Sequence, residues 1–254
     1  MKKTKGFSVI GAIIGVAIVA ILAIASFIII DGNNKSTNFN SYDFESYIEA
    51  SKDNGNIADH VKGDASAPVL IFEYADYQCP GCASINPYVN KAVEELDGKL
   101  AVIYRSFLLS YHKNATAAAS AAEAAGLQGY WKAYADKLFE EQSEWEYANA
   151  SERTEYFNNY FEEVTNGKGD LEKFKSDIAS EAVSKKLSFD MGIARRVDVS
   201  GTPAFYIDGT LIDWGSKTGG SITINGKTLS WNSALSGSEF MDLLKDIVAA
   251  KLSE

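Results

Sequence analysis

Cys79 and Cys82, in the run Cys79-Pro80-Gly81-Cys82, are the only cysteines in this chain of 254 residues. Two thiols at that spacing can close into a disulfide and reopen, which is the chemistry of thiol–disulfide exchange. No cysteine remains for a structural disulfide elsewhere, so any sulfur chemistry happens here. The attacking species in such an exchange is the thiolate, so the surroundings of the pair decide which sulfur acts first.

Those surroundings can be read from the flanking residues. Val69-Leu70-Ile71-Phe72-Glu73-Tyr74 reads as a buried strand, and Ala83 to Leu96 as a helix. A C-x-x-C at a strand-to-helix junction is the redox form of the motif. A helix N-terminus offers unsatisfied N–H groups and a partial positive charge, both of which favour an anion. Cys79 sits at that end and is expected to be the exposed nucleophile of low pKa. Cys82, one turn inside, is expected to be the buried resolving thiol. Pro80 suits a first turn, where a missing N–H costs nothing. Gly81 adds no charge of its own. Two other readings stay open. The pair could be half of a zinc site, but zinc normally takes four ligands, and only His60 and His112 could add histidine. A purely structural disulfide would close a tiny loop and add little stability through loop entropy.

The run Phe72-Glu73-Tyr74-Ala75-Asp76-Tyr77-Gln78-Cys79-Pro80-Gly81-Cys82 resembles the active-site strand and C-P-x-C motif of the DsbA-like thiol–disulfide oxidoreductases of bacterial cell envelopes. Pro87 matches the proline that kinks the same helix in thioredoxins. Far downstream, Val199-Ser200-Gly201-Thr202-Pro203-Ala204-Phe205 is similar to that family's cis-proline loop and the strand after it. The resemblance covers roughly residues 65 to 252. It implies a thioredoxin-like α/β fold with a helical insertion at about 112–190, and a redox-active Cys79–Cys82 disulfide in place of any cofactor. It also implies roles for other residues. Glu73 would relay a proton to the inner cysteine; without the resemblance, strand alternation could as well turn it to water. Sequence statistics alone favour trans for Thr202–Pro203; the resemblance implies cis, with the Thr202 backbone free to pair with an extended substrate chain. Gly81 departs from the strongest oxidants of the family, which carry histidine there, and this implies a milder oxidant. Residues 213–231 exceed the usual end of the fold.

The formal net charge is −10, which excludes phosphate-rich partners such as nucleic acid, since these want basic patches. Phe7 to Ile30 carries no charged residue and is long enough to cross a bilayer, at ~1.5 Å per residue against a core of ~30 Å. Lys2, Lys3 and Lys5 precede it and favour a cytoplasmic N-terminus. The expectation is a single-pass anchor over 1–30, a polar tether over 31–64 with a short helix over 42–50, and a domain over 65–254 outside the cell membrane. A cleaved signal peptide usually has a shorter apolar region, and Phe27-Ile28-Ile29-Ile30 lacks a small-x-small site. Gly11-Ala12-Ile13-Ile14-Gly15 has the spacing of helix-pairing glycines, and Lys5-Gly6-Phe7 resembles a prepilin processing site, with Gly11 at the place of its acidic residue.

Along the domain, Leu100 to Phe107 reads as a second strand, parallel to the first through a right-handed crossover. Asn114–Gln128, Tyr130–Gln142, Ser151–Val164 and Asp170–Leu187 read as helices. Their aromatics Trp131, Tyr134, Phe139, Tyr156, Phe157, Tyr160 and Phe161 are expected as core, with a peptide groove as the other option. Two hairpins follow, at Asp208-Gly209 and Asn225-Gly226, and a closing helix spans Ser238–Leu252. Asn114 and Asn149 head glycosylation-like triplets, and His60 and His112 are read as loop or surface residues.

The function expected from all this is a membrane-anchored, extracytoplasmic thiol–disulfide oxidoreductase that serves secreted or surface proteins. The oxidase direction is expected, with a membrane redox partner recharging the site. A reductase or isomerase of the same fold, a non-catalytic peptide-binding module or chaperone, and a pilus-like subunit are the competing readings.

Overall fold

The structure is a computed structural model that describes residues 37–253. The expected anchor over Phe7–Ile30, with its glycine spacing and prepilin-like start, lies outside those residues. Among the described residues no helix is long and apolar enough to cross a membrane. The described residues from Phe39 onward form one compact unit.

Five strands make the main sheet. In chain order they are β1 (His60–Lys62), β2 (Val69–Ala75), β3 (Leu100–Ser106), β4 (Ala204–Ile207) and β5 (Thr210–Leu211), arranged β1-β3-β2-β4-β5. β2 and β3 are parallel, joined by helix α1 (Pro80–Glu95); β1, β4 and β5 pair antiparallel to their neighbours. Every residue of β3 is buried, as a central strand covered on both faces requires.

The register sorts the side chains by face. Glu73 lies opposite Tyr104 of β3 and Phe205 of β4, and these share a face with Ile71, Val102 and Lys62. α1 and the C-terminal helix cover that face, packing Ile85, Val89, Phe240, Leu244 and Ile247 on the sheet. The other face carries Phe72, Tyr74 and Ile103, packed under Ile48, Phe189 and Ile193.

The helical region runs α2 (Ala115–Gly126), α3 (Trp131–Glu140), α4 (Gln142–Trp145), α5 (Ala150–Thr165), α6 (Leu171–Ile178) and α7 (Glu181–Arg196). The single helix expected over 170–187 is two helices, because Ser180 leaves helical geometry and caps α7 through a bond from the Val183 N–H. Trp131, Tyr134, Phe139, Phe157, Tyr160 and Phe161 are buried between these helices, so they form core rather than a groove. The two asparagines of the glycosylation-like triplets stand in different surroundings. Asn114 is buried, with its amide on the carbonyls of Trp145, Glu146 and Ala148, and Asn149 closes a capping box on α5. The second hairpin, β6 (Gly220–Ile224) with β7 (Lys227–Trp231), places Ile222, Ile224 and Trp231 against the core that holds Phe205 and Phe240. The chain closes with α8 (Gly237–Leu252).

The tether expected over 31–64 needs correction for its described part. A turn of 3₁₀ helix at Phe39–Ser41 replaces the helix expected over 42–50, and Ile48, Asn54, Ile57 and Asp59 are buried. The cause is Arg105, fully buried in β3. Its guanidinium donates to the carbonyls of Phe44 and Ser46 and to Asp59 Oδ2 at 2.7 Å, and so draws the segment onto the sheet. Lys186 of α7 bridges Asp59 and Asp190 on the same side. Burial opposes these charges, yet the mutual attraction holds Asp59 below and Arg105 above their ordinary ranges.

Candidate active site

The turn before α1 is built by Asp76. Its Oδ1 accepts from the Gln78 N–H at 2.8 Å, and its carbonyl accepts from the Cys79 N–H at 3.0 Å. Cys79 then stands at the helix N-cap in extended geometry, with Pro80 in the first turn. The backbone N–H groups of Gly81 and Cys82 point back at Cys79 Sγ. Cys82 is fully buried, while Cys79 shows 8% of its surface.

The two thiols are driven apart in acidity. A hydrogen bond from the Cys82 thiol is the main cause that lowers the Cys79 pKa to about 5. Burial opposes the shift; the Thr202 hydroxyl and the two helix-end N–H groups add to it. Cys82 is pushed well above the usual thiol range, by burial first, then by its bond to Cys79 and the Cys79 charge, with a smaller push from Glu73. Neutral Cys79 donates to the Thr202 carbonyl at 3.4 Å, and Thr202 Oγ1 is then buried without a partner among the described residues. When Cys79 loses its proton, that idle hydroxyl is the donor that meets the charge.

Thr202–Pro203 is a cis peptide bond. It sets Pro203 against the motif so closely that a Cβ on Gly81 would stand 3.2 Å from Pro203 Cδ and 3.7 Å from Cys79 Sγ. Residues 123 positions apart in the chain, Cys79 and Thr202, thus share one small surface.

Glu73 lies beneath, fully buried, which removes the solvent-facing alternative: both faces of β2 are covered. Its Oε2 accepts from Lys62 Nζ at 2.8 Å, while Oε1 has no partner among the described residues. Lys62 also donates to Asn86 Oδ1 at 2.8 Å. Lys62 fell within the expected tether. A strand of three residues, paired only through β3, has no periodicity to announce it. Asp76, Gln78 and Gln142 were also missed. Gln142 donates to the carbonyls of Tyr77 and Cys79, and Gln78 bonds the loops at Asn114 and Glu146. His112 Nδ1 sits 2.9 Å from Asp76 Oδ2, and His60 Nε2 sits 2.7 Å from Glu123, so the two histidines are engaged away from the sulfurs. Among the described residues no group of three or more His, Cys, Asp or Glu could hold a metal ion.

A thioredoxin-type sheet with an acidic cysteine, a buried partner and a cis-proline beside them defines the class: a thiol–disulfide oxidoreductase fold with its dithiol at a helix end. Residues 55–220 match the family described as Thioredoxin, and the chain belongs to that family. Curated relatives include the Na(+)/H(+) antiporter NhaA 3 of Salinispora tropica, 32% identical over 152 residues, which is 59% of this chain and 22% of that protein. NhaA 1 of Mycolicibacterium vanbaalenii is 30% identical, with 59% and 23% covered. The chain therefore spans about a fifth of the length of these relatives. Among solved structures, a thioredoxin-like oxidoreductase from Silicibacter pomeroyi aligns with a TM-score of 0.54 at 21% identity, covering 77% of this chain and 94% of that one. Proteus mirabilis ScsC in a transitional conformation aligns at 0.56 and 16%, covering 94% and 90%. Wolbachia pipientis alpha-DsbA1 aligns at 0.54 and 23%, covering 76% and 92%. At these identities the likeness is one of fold.

Proposed function

We propose that this protein is a DsbA-like oxidase of the cell envelope, anchored through residues 7–30 and acting on secreted or surface proteins. The supporting observation is the split in acidity between the two sulfurs. In the oxidising direction a substrate thiolate attacks Cys79 Sγ of the Cys79–Cys82 disulfide. The bond between the two cysteines breaks, and Cys82 leaves with the electron pair and takes a proton. A second substrate thiolate attacks the substrate sulfur of the mixed disulfide and expels Cys79 as a thiolate. Two electrons pass to the pair, and the substrate gains a disulfide. A thiol that ionises at about 5 is a good leaving group, so the geometry favours this direction.

Glu73 serves as the proton relay for Cys82 through its free Oε1. Thr202 and Pro203 present backbone to an extended substrate, and Pro80 and Gly81 shape the turn. A membrane partner passes the electrons on, restoring the disulfide. No cofactor enters this scheme.

The deciding measurement is the reduction potential of the Cys79–Cys82 pair in the full chain, together with its redox state in intact cells. A potential well above that of thioredoxin, about −270 mV, with the pair mostly oxidised, is the expected result. A potential at the thioredoxin end with a mostly reduced pair would overturn the oxidase reading and leave a reductase. Membrane fractionation with N-terminal sequencing tests the anchor: release of a form lacking residues 1–30 would refute it.

A further inference from the structure

The helical region reaches the buried carboxylate under the cysteines through one uninterrupted chain of side chains. Asp136, on α3, accepts on Oδ1 from Asn86 Nδ2 at 3.0 Å and from Asn90 Nδ2 at 2.8 Å; both asparagines lie on α1. Its Oδ2 accepts from Lys132 at the surface, at 2.6 Å. Asn86, 4% exposed, turns its other end inward, where Oδ1 accepts from Lys62. Lys62 in turn donates to Glu73 Oε2. An amide has one donor end and one acceptor end. With Asp136 on the donor end, the oxygen must face the Lys62 ammonium. Were the amide to flip, its N–H groups would face that ammonium and both bonds would be lost. The Asp136 carboxyl is kept below the usual range by the bonds from Asn86, Lys132 and Asn90, against the opposing effect of burial.

We infer that Asp136 is a positioning residue for the Cys82 half-reaction, acting through Asn86 to hold Lys62 on Glu73 Oε2 and so leave Oε1 as the free proton acceptor. The inference rests on the relay reading of Glu73. When the reduced protein attacks a disulfide, Cys79 forms the mixed disulfide first. Cys82 then gives its proton to Glu73 Oε1, its sulfur bonds to Cys79 Sγ, and the bond from Cys79 to the substrate sulfur breaks. The substrate leaves as a thiolate that carries the electron pair. Lys62, which lies 5.8 Å from the centre of the Tyr104 ring, has no other carboxylate as a bonded partner among the described residues. Besides Lys62, the titratable groups that feel the Glu73 charge are Cys82, Tyr77 and Tyr104. Burial keeps both tyrosines protonated. The proton of this step therefore passes between Cys82 and Glu73. Weakening the hold of Lys62 lets the cation and the carboxylate rearrange, so that Oε1 is no longer kept free for the Cys82 proton.

The test uses the reduced full chain and an aromatic disulfide that releases a coloured thiolate at each attack. The first release reads Cys79 and the second reads Cys82. Asp136→Ala is expected to slow the second phase about fivefold near neutral pH and to move its pH midpoint, with the first phase unchanged. Asp136→Asn, which keeps an acceptor oxygen for the two asparagines, is expected to recover most of the rate. In a Glu73→Gln background Asp136→Ala should add nothing. If Glu73→Gln alters the second phase and Asp136→Ala leaves its rate and pH midpoint alone, the positioning role is wrong and the relay stands. If Glu73→Gln itself leaves the second phase unaltered, the relay reading is wrong and takes this inference with it. Asp136 is a third exposed, and a thermal melt of each variant checks that it keeps the fold; Lys62→Arg gives a second route that retains the cation.

Discussion

Gly81 packs against Pro203 with no room for a methyl group: the Cβ would meet Pro203 Cδ at 3.2 Å, inside ordinary contact distance. Gly81→Ala is therefore expected to push the proline aside by a few tenths of an ångström and to cost about 1 kcal/mol. Gly81→His meets the same obstacle and adds a cation beside the thiolate. The alanine variant should leave the ionisation of Cys79 near that of the parent, while the histidine variant should lower it. Thermal melts and the pH profile of alkylation check both. Equal alkylation profiles for the two variants would show that charge at this position does not reach the sulfur.

The ionisation of Cys79 can be read directly. Alkylation of the reduced protein should be half-maximal near pH 5, at Cys79 alone. Cys82, buried and pushed upward, should stay unmodified throughout the range in which Cys79 reacts. Mass spectrometry of the alkylated peptides assigns the sites. Cys82→Ser should trap mixed disulfides at Cys79. Trapping by Cys79→Ser, with Cys82 alkylated first, would reverse the two roles.

Stability should depend on redox state and on pH together. The Cys79 pKa is lower in the folded reduced protein than in the unfolded chain. The resulting stabilisation is complete above the unfolded value, ~8.5, and fades as pH falls through about 5. At neutral pH it amounts to about 2–3 kcal/mol. Cys82 is protonated in both states there and adds nothing. The oxidised protein has no thiolate, so the melting temperature of the reduced form should fall relative to that of the oxidised form between about pH 7 and about pH 4. A gap that ignores pH would contradict the lowered Cys79 value.

Lys62 and Glu73 should be far more costly to break than to replace. Lys62→Met leaves a buried carboxylate without its counter-charge and is expected to destabilise by about 3–5 kcal/mol. Combining it with Glu73→Leu should recover most of that loss, while stopping the proton relay. Urea unfolding measures the first effect, and the coloured-thiolate assay the second. A double variant no more stable than Lys62→Met alone would place the cost in packing rather than charge.

Much of the domain was legible from local pattern. The strand before the cysteines, the helix after them, Leu100 to Ser106, both hairpins and the closing helix all follow from runs of β-branched residues, Asp-Gly and Asn-Gly turns, and apolar spacing. The packing of 39–64 was not legible. Its strand has three residues, and what draws it down is Arg105, more than forty positions away. A polar, loop-like composition reads as solvated when its hydrogen-bond partners lie on another element. The break at Ser180 was missed for a similar reason, since apolar spacing continues across it.

The sequence by itself determined that sulfur chemistry is confined to Cys79 and Cys82, and that Cys79 stands at a helix end, because composition and strand-to-helix order are local properties. It also supplied the distant Thr202-Pro203, though only through family likeness. Only the tertiary structure decided that Thr202 touches the Cys79 sulfur, that Gly81 abuts Pro203, and that Glu73 is paired with Lys62, which is bonded on through Asn86 to Asp136. These contacts join five separate elements across a sheet, and the acidity of a buried thiol or the pairing of a buried carboxylate depends on which groups fill the few ångströms around it.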